Sequence, residues 1–350
     1  MKKVRAVMNN SKIQLLDCTL RDGAYIVNSK FGTATVKGII ENLDNALVDI
    51  IECGWLKNDE HELGTSFFHK PYDLEKYITK KNNNITYVLM IDWDRYDLEY
   101  LPYCDGNSID AIRVVFPYEH FCEGIEVGKK IIKKGYKVFY QAANTLSYPD
   151  SDLENLAKMV NESGAEGLSI VDTFGAMYFD DLIRISQILN SKLSKNIKLG
   201  FHSHNNQQLS FALSIVFMEL MQSNERDCIV DSSLCGIGRG AGNTTTELLA
   251  NYINKKYEGK YDMGIILDTI EDYIKDFKEK YEWGYSTSYF ISGTFCTHVN
   301  NISYLKDKHN IKPKDMYKVL ASMNASDRVK YDYGILENKY QEYIKEKDKR

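Results

Sequence analysis

Several features that would mark a secreted, membrane-embedded or nucleic-acid-binding chain are missing. The seven cysteines are scattered and form no CxxC pair, which excludes a disulfide framework and points to reduced thiols in a cytoplasmic protein. No apolar run approaches the roughly 20 residues of a membrane span. The basic start Met1-Lys2-Lys3 is not followed by an apolar segment of roughly 7–15 residues, so a signal peptide is not expected. Neither sign of charge dominates: 44 Lys and Arg are mixed with 49 Asp and Glu, for a net charge of -5. That balance gives no electrostatic footprint for nucleic acid. A GxxxxGK(S/T) phosphate loop is absent, as are internal repeats and low-complexity tracts.

What remains is a chain of 350 residues with 43% hydrophobic residues, enough for a large core. Apolar, β-branched runs recur near Ile13–Asp17, Ile50–Cys53, Tyr87–Ile91, Ala111–Phe116, Lys137–Gln141, Gly167–Val171, Lys198–His202 and Cys228–Ser232. Most are continuous rather than alternating, as parallel strands covered on both faces should be. The gaps hold helix-length segments. Ser151-Asp152-Leu153-Glu154 has the pattern of a capping box, and 177–190 carries apolar residues at helical spacing. Eight strand–helix units in series predict a (β/α)8 TIM barrel. A doubly wound sheet is the rival, although no glycine fingerprint follows the first strand. From about Asp262 the pattern changes to helices, expected over 265–281, 314–323 and 336–349. The expected organisation is a barrel over 1–262 and a small helical region over 263–350.

Two stretches carry most of the chemistry. Leu16-Asp17-Cys18-Thr19-Leu20-Arg21-Asp22-Gly23 places a guanidinium and a carboxylate just past the first strand. Phe201-His202-Ser203-His204 ends the seventh strand with imidazoles at i and i+2, which face the same way. TIM-barrel sites lie at the C-terminal ends of the strands, and strands one and seven are separated only by strand eight. Asp22, His202 and His204 can therefore share one divalent metal with open positions, and Mn, Mg, Fe, Co and Zn all suit such a set. Arg21 is either a salt bridge at the sheet end or a donor to a developing enolate. Asp17 either projects toward the site, caps the turn or orients Arg21. A third stretch, Asp231 to Glu247, is a loop of alternating glycines able to approach a ligand closely. In it Asn243 is either a further oxygen ligand or a helix cap.

The segments LDCTLRDG, GFHSHNN and GIGRGAGNTTTE, in this order over roughly residues 13–250, resemble the DRE-TIM metallolyase (HMG-CoA lyase-like) family, and most resemble its 4-hydroxy-2-oxovalerate aldolase branch. The resemblance implies a (β/α)8 barrel and a divalent metal held by Asp22, His202 and His204, with Asn243 as the additional ligand of the lyase branch. It implies Arg21 as the enolate stabiliser. The segment Gly284–Tyr289 resembles a C-terminal aldolase segment, which nominates Tyr289. Two departures stand out. Aldolases of this type carry a histidine base three residues after the motif aspartate, where this chain has Tyr25, a poor base at neutral pH unless perturbed. The cysteine of the CoA lyase branch aligns with Leu234, and Cys235, one place off, reads as structural. Glu52 is expected to orient the site or start a helix, Asp172 and Thr173 to face the pocket or to serve buried hydrogen bonds, and His298 to pack or to carry a proton.

The expected function is a divalent-metal-dependent aldolase or lyase acting on a small 2-oxo acid through an enolate. Manganese is favoured among Mn, Mg, Co and Zn, and Tyr25, Tyr289 or a metal-held water is the base. The rivals are an acyl-CoA-dependent Claisen-type synthase and a non-catalytic metal-binding barrel. A homodimer is expected, and a partner dehydrogenase is implied by the family resemblance alone.

Overall fold

Eight of the apolar runs form strands, and every one pairs in parallel with its neighbours. The computed structural model describes residues 11–257 and 259–347; the basic start Met1-Lys2-Lys3 lies outside them. The strands are β1 (Ile13–Asp17), β2 (Ile50–Leu56), β3 (Thr86–Asp92), β4 (Ala111–Phe116), β5 (Lys137–Ala142), β6 (Gly167–Asp172), β7 (Lys198–Ser203) and β8 (Cys228–Ser232). β1 pairs with β8 from Ile13↔Cys228 to Asp17↔Ser232 and with β2 at Leu16↔Ile50 and Asp17↔Ile51. Those two seams close the sheet into a barrel, and the doubly wound alternative falls. A two-residue stub, Phe67–Phe68, adds to the open side of β2.

The period of two along each strand splits the residues into an outer and an inner set. Outward positions such as Leu15, Ile51, Leu89, Ile112, Val138, Ile170 and Val230 pack against the helix ring in one large core. Inward positions are layered. Leu16, Ile50, Val88, Ala111, Phe139 and Ile229 form a small separate apolar cluster. Two residues further along, β2, β4, β5 and β8 present Glu52, Arg113, Gln141 and Asp231, all buried. Charge therefore lies above an apolar floor and just below the C-terminal mouth.

The helices differ from expectation in detail. The one expected to start at a Ser151 cap spans Asp150–Ser163, follows Pro149 and has no side-chain cap. The helix expected over 265–281 is two, Met263–Tyr273 and Lys275–Lys280, separated at Ile274. Ile266, Ile274 and Trp283 belong to the barrel's main core. A second core begins further on, with Ile291, Ile302, Leu305, Met316, Val319, Leu320, Met323 and Leu336. It is built by helices Thr287–Thr294, Val299–His309, Pro313–Ala321 and Tyr333–Lys347. Among the described residues no helix is long and apolar enough to cross a membrane.

Candidate active site

The chain leaves β1 in a short helical turn, Thr19–Asp22. Asp17 shapes that turn. Its Oδ1 accepts from the Thr19 amide at 2.8 Å and its Oδ2 from the Thr246 hydroxyl at 2.5 Å. Of the three roles open to Asp17, capping is the one these bonds describe. Burial pushes its carboxyl up to about 6, against the pull of the Thr246 hydrogen bond.

The turn carries Arg21 and Asp22 into the mouth of the barrel. Arg21 Nε donates to Glu52 Oε2 at 2.7 Å and its NH1 to Asp22 Oδ1 at 2.7 Å. Glu52 Oε2 also lies 3.0 Å from Arg113 NH1. Arg113 NH2 donates to Asp231 Oδ2 at 2.5 Å and to Gln141 Oε1 at 2.7 Å. Asp231 Oδ2 in turn lies 3.0 Å from His202 Nδ1. One continuous buried chain of charges thus runs from Arg21 to the imidazole of His202. Burial alone would favour protonated Asp22, but the Arg21 guanidinium outweighs it and holds the carboxyl well below its usual range. Burial likewise opposes ionised Asp231, and Arg113 and His202 outweigh it.

The same chain sets the histidine tautomers. Burial pushes the pKa of His202 down, more than Asp231 raises it, so the ring is neutral at physiological pH. Ionised Asp231 can only accept, so Nδ1 carries the proton and Nε2 keeps its lone pair. His204 Nδ1 faces the Asp172 carbonyl at 3.1 Å, which again places the proton on Nδ1. Its Nε2 is buried without a hydrogen-bond partner, 3.4 Å from Asp22 Oδ2.

Asp22, His202 and His204 offer ligand atoms that all lie within 4.8 Å of one another. A buried imidazole lone pair facing a carboxylate is unfavourable unless a cation stands between them. The donor set, one carboxylate oxygen and two imidazole nitrogens oriented from behind by Asp231 and a backbone carbonyl, fits a divalent ion. Asn243 Nδ2 donates to Asp22 Oδ2 at 2.6 Å and to the Ile237 carbonyl at 3.2 Å. Its Oδ1 is buried without a partner. The glycine loop makes this contact sterically feasible. A Cβ at Gly238 would lie 2.3 Å from Asn243 Nδ2 and 2.5 Å from Asp22 Oδ2, and one at Gly242 (φ +81) would lie 1.9 Å from the Gly236 carbonyl oxygen.

Above these groups lies a cavity of about 190 Å³, lined among others by Arg21, Asp22, His202, His204, Tyr25 and Arg239. Tyr25 is half exposed at its rim. Its ring meets Trp55 edge-on at 6.2 Å and carries the Arg239 guanidinium at 3.9 Å. Desolvation of its hydroxyl raises the pKa above the usual value, against the pull of Arg239. Tyr289 sits in the first turn of helix Thr287–Thr294, where its amide donates to Ser286, and is not among the lining residues. Asp172 caps the turn after β6 by accepting from Ala176 and Met177, and Thr173 reaches the cavity wall. Cys235 is half-buried, with its thiol pushed up to about 11 by burial.

Sequence reasoning assigned no role to Arg113, Gln141, Asp231 or Arg239. The first three had a signal. Each stands two residues past an inward apolar residue, at a place where a buried strand should carry another.

Residues 121–273 match the HMGL-like family model. Over that stretch the chain is similar to HMGL-like proteins. This agrees with the family indicated by the three motifs, although the Thr19–Asp22 turn lies outside the matched stretch. A 4-hydroxy-2-oxovalerate aldolase from Geobacillus genomosp. 3 is 28% identical over 282 residues, covering 77% of this chain and 78% of that protein. An oxaloacetate decarboxylase from Mycobacterium tuberculosis is 24% identical, covering 69% and 70%. Among solved structures, the N-terminal domain of a candidate aldolase from Bacteroides vulgatus superposes with a TM-score of 0.68 at 23% identity, covering 89% of this chain and 97% of that one. The carboxyl transferase domain of Rhizobium etli pyruvate carboxylase also gives 0.68, at 13% identity, covering 97% and 61%. At these identities the structural likeness speaks for the barrel fold.

Proposed function

We propose that the barrel is a divalent-metal-dependent carbon–carbon lyase that cleaves, or in reverse forms, a 4-hydroxy-2-oxo acid through an enolate. One observation carries the reading: the ligand atoms of Asp22, His202 and His204 converge within 4.8 Å, with Arg21 fixed 2.7 Å from Asp22. A divalent ion held there supplies a Lewis acid for the oxygens of a 2-oxo acid. The chain's own residues supply the rest. Arg21, locked by Glu52 and Asp22, brings fixed positive charge to the place where an enolate oxygen develops, so no reorganisation is needed at that moment. Asp231 holds His202 in the tautomer that ligates. The aldolase and decarboxylase names of the relatives, both lyase-type, support the class. Manganese as the ion, Asn243 as a further ligand, a homodimer and a cytoplasmic location belong to the same reading. A partner dehydrogenase rests on the family resemblance alone.

Aldol cleavage also requires a group that takes the 4-hydroxyl proton. Tyr25 lines the cavity with a raised hydroxyl pKa, and Tyr289 stands off the lining. This favours a second reading, decarboxylation of a 2-oxo acid that bears a second carboxylate on C3, in which loss of CO2 forms the enolate and no hydroxyl proton has to leave.

Both readings share the enolate. Mn²⁺-loaded protein in deuterated water should exchange the C3 protons of pyruvate, followed by NMR, and His202→Ala should lose both metal and exchange. No metal-dependent exchange across a panel of 2-oxo acids would sink the enolate and leave the non-catalytic barrel. Thiol release from an acyl-CoA in its place would favour the Claisen-type synthase.

A further inference from the structure

The inner charges of the barrel nearly cancel. Arg21 and Arg113 face Glu52, Asp231 and Asp22, so two positive groups against three negative ones leave a single negative charge. A divalent ion and one 2-oxo carboxylate bring that set to neutrality. Arg239 stands outside the balance. It lines the same cavity from the glycine loop after β8, and the groups that hold it do not neutralise it. Its guanidinium carbon lies 3.9 Å from the centre of the Tyr25 ring, and its NH1 lies 3.3 Å from His298 Nε2. His298 is uncharged: its Nδ1 caps helix Val299–His309 by accepting from the Asn300 amide at 3.1 Å, and burial beside Arg239 pushes its pKa down to about 3. The other carboxylate of the cavity wall, Asp92, lies 3.8 Å from Arg95 and feels the charge of Arg239 without forming an ion pair with it. Among the described residues no carboxylate stands within ion-pair distance of Arg239.

A guanidinium resting on an aromatic ring, lining a cavity and outside any ion pair, is a ready receptor for a carboxylate. We propose that Arg239 binds a carboxylate at the end of the substrate remote from its 2-oxo group, so that the site selects 2-oxo diacids over methyl-ended 2-oxo acids. The inference rests on the lyase reading for placing the 2-oxo end at Asp22, His202 and His204. It gives Tyr25 a role as the platform that aims Arg239.

Calorimetry on the full-length, Mn²⁺-loaded protein can compare two pairs of ligands of equal chain length: oxaloacetate with 2-oxobutyrate, and 2-oxoglutarate with 2-oxovalerate. Within each pair only the far end differs, carboxylate against methyl. The diacid should bind about tenfold or more tightly in at least one pair, the scale of one charge-assisted hydrogen bond. Arg239→Gln should erase the preference and Arg239→Lys should restore part of it. Equal binding in both pairs, or a preference that survives Arg239→Gln, overturns the proposal. Should that variant fail to fold, the wild-type preference is measured at low and high salt; a drop supports a cationic receptor and a flat response overturns it. Pyruvate has no far end, so C3 exchange by the wild-type protein reports on the lyase reading alone. A diacid preference without pyruvate exchange would refute that reading and leave the Arg239 site standing.

Discussion

Arg113 and Asp231, 118 residues apart in the chain, meet at 2.5 Å inside the barrel, and the same carboxylate oxygen holds His202 Nδ1 at 3.0 Å. The partner that orients this proposed ligand is thus itself fixed by a buried guanidinium. Asp231→Asn keeps the shape and removes the charge. It should lower metal affinity about 10–100-fold, the usual cost of losing such an orienting partner. Titration with Mn²⁺ followed by electron paramagnetic resonance checks this, and unchanged affinity would separate Asp231 from the metal site.

Arg21→Ala should lower kcat by about 10²–10³ if Arg21 stabilises the enolate oxygen. It also leaves Asp22 and Glu52 short of a buried partner, so a stability loss of about 3–5 kcal/mol is expected beside it. Arg21→Lys keeps the charge but not the two-pronged grip, and should recover stability more than turnover. Urea unfolding and steady-state kinetics on both variants separate the two effects; loss of stability with full turnover would make Arg21 purely structural.

Tyr25→His restores the base that the aldolase branch carries at this position. It should raise cleavage of 4-hydroxy-2-oxo acids while leaving pyruvate exchange near its wild-type rate, because exchange does not involve the hydroxyl proton. A coupled pyruvate assay follows the first and NMR the second. If cleavage does not rise, position 25 is not where that proton leaves.

Asp17 makes stability depend on pH in a defined direction. Its folded pKa of about 6 lies above the ordinary 3.8, so the folded state holds the proton more tightly. Its contribution is fully present below about pH 4 and fades as pH rises through 6, a change of about 3 kcal/mol. Asp22 and Asp231, with lowered pKa values, act oppositely and lose their contribution only as the solution becomes more acidic than the ordinary carboxylate range. Asp17→Asn removes the first effect alone. Relative to wild type it should be more stable at pH 7 than at pH 4 by that margin in urea unfolding; a pH-independent difference would show that Asp17 ionises normally.

All eight strands were legible because parallel strands buried on both faces read as apolar runs, whatever their neighbours. Asp22, His202 and His204 were legible because strand period and barrel order bring them to one rim. Arg113 and Asp231 were not. Each sits alone in an apolar strand, and the bond that makes both tolerable spans half the barrel. The Ser151 capping pattern gave way because Pro149, with φ -59, takes the cap position and sets the start of the helix two residues earlier. The roles of Asp17 stayed open for a related reason: one partner is two residues away, but the other, Thr246, is 229 residues away. Arg239 was visible only as a member of a glycine-rich loop, since nothing local reveals which ring a flexible guanidinium lies on.

The apolar floor made by Leu16, Ile50, Val88, Ala111, Phe139 and Ile229 lies beneath the charged layer and sets it toward the C-terminal mouth. Close-packed side chains of that kind pass neither water nor protons. In the proposed reaction, substrate and product would share the cavity whose rim Tyr25 and Arg239 line. Traffic past that rim would order the cycle: a molecule bound there would delay whatever has formed beneath it.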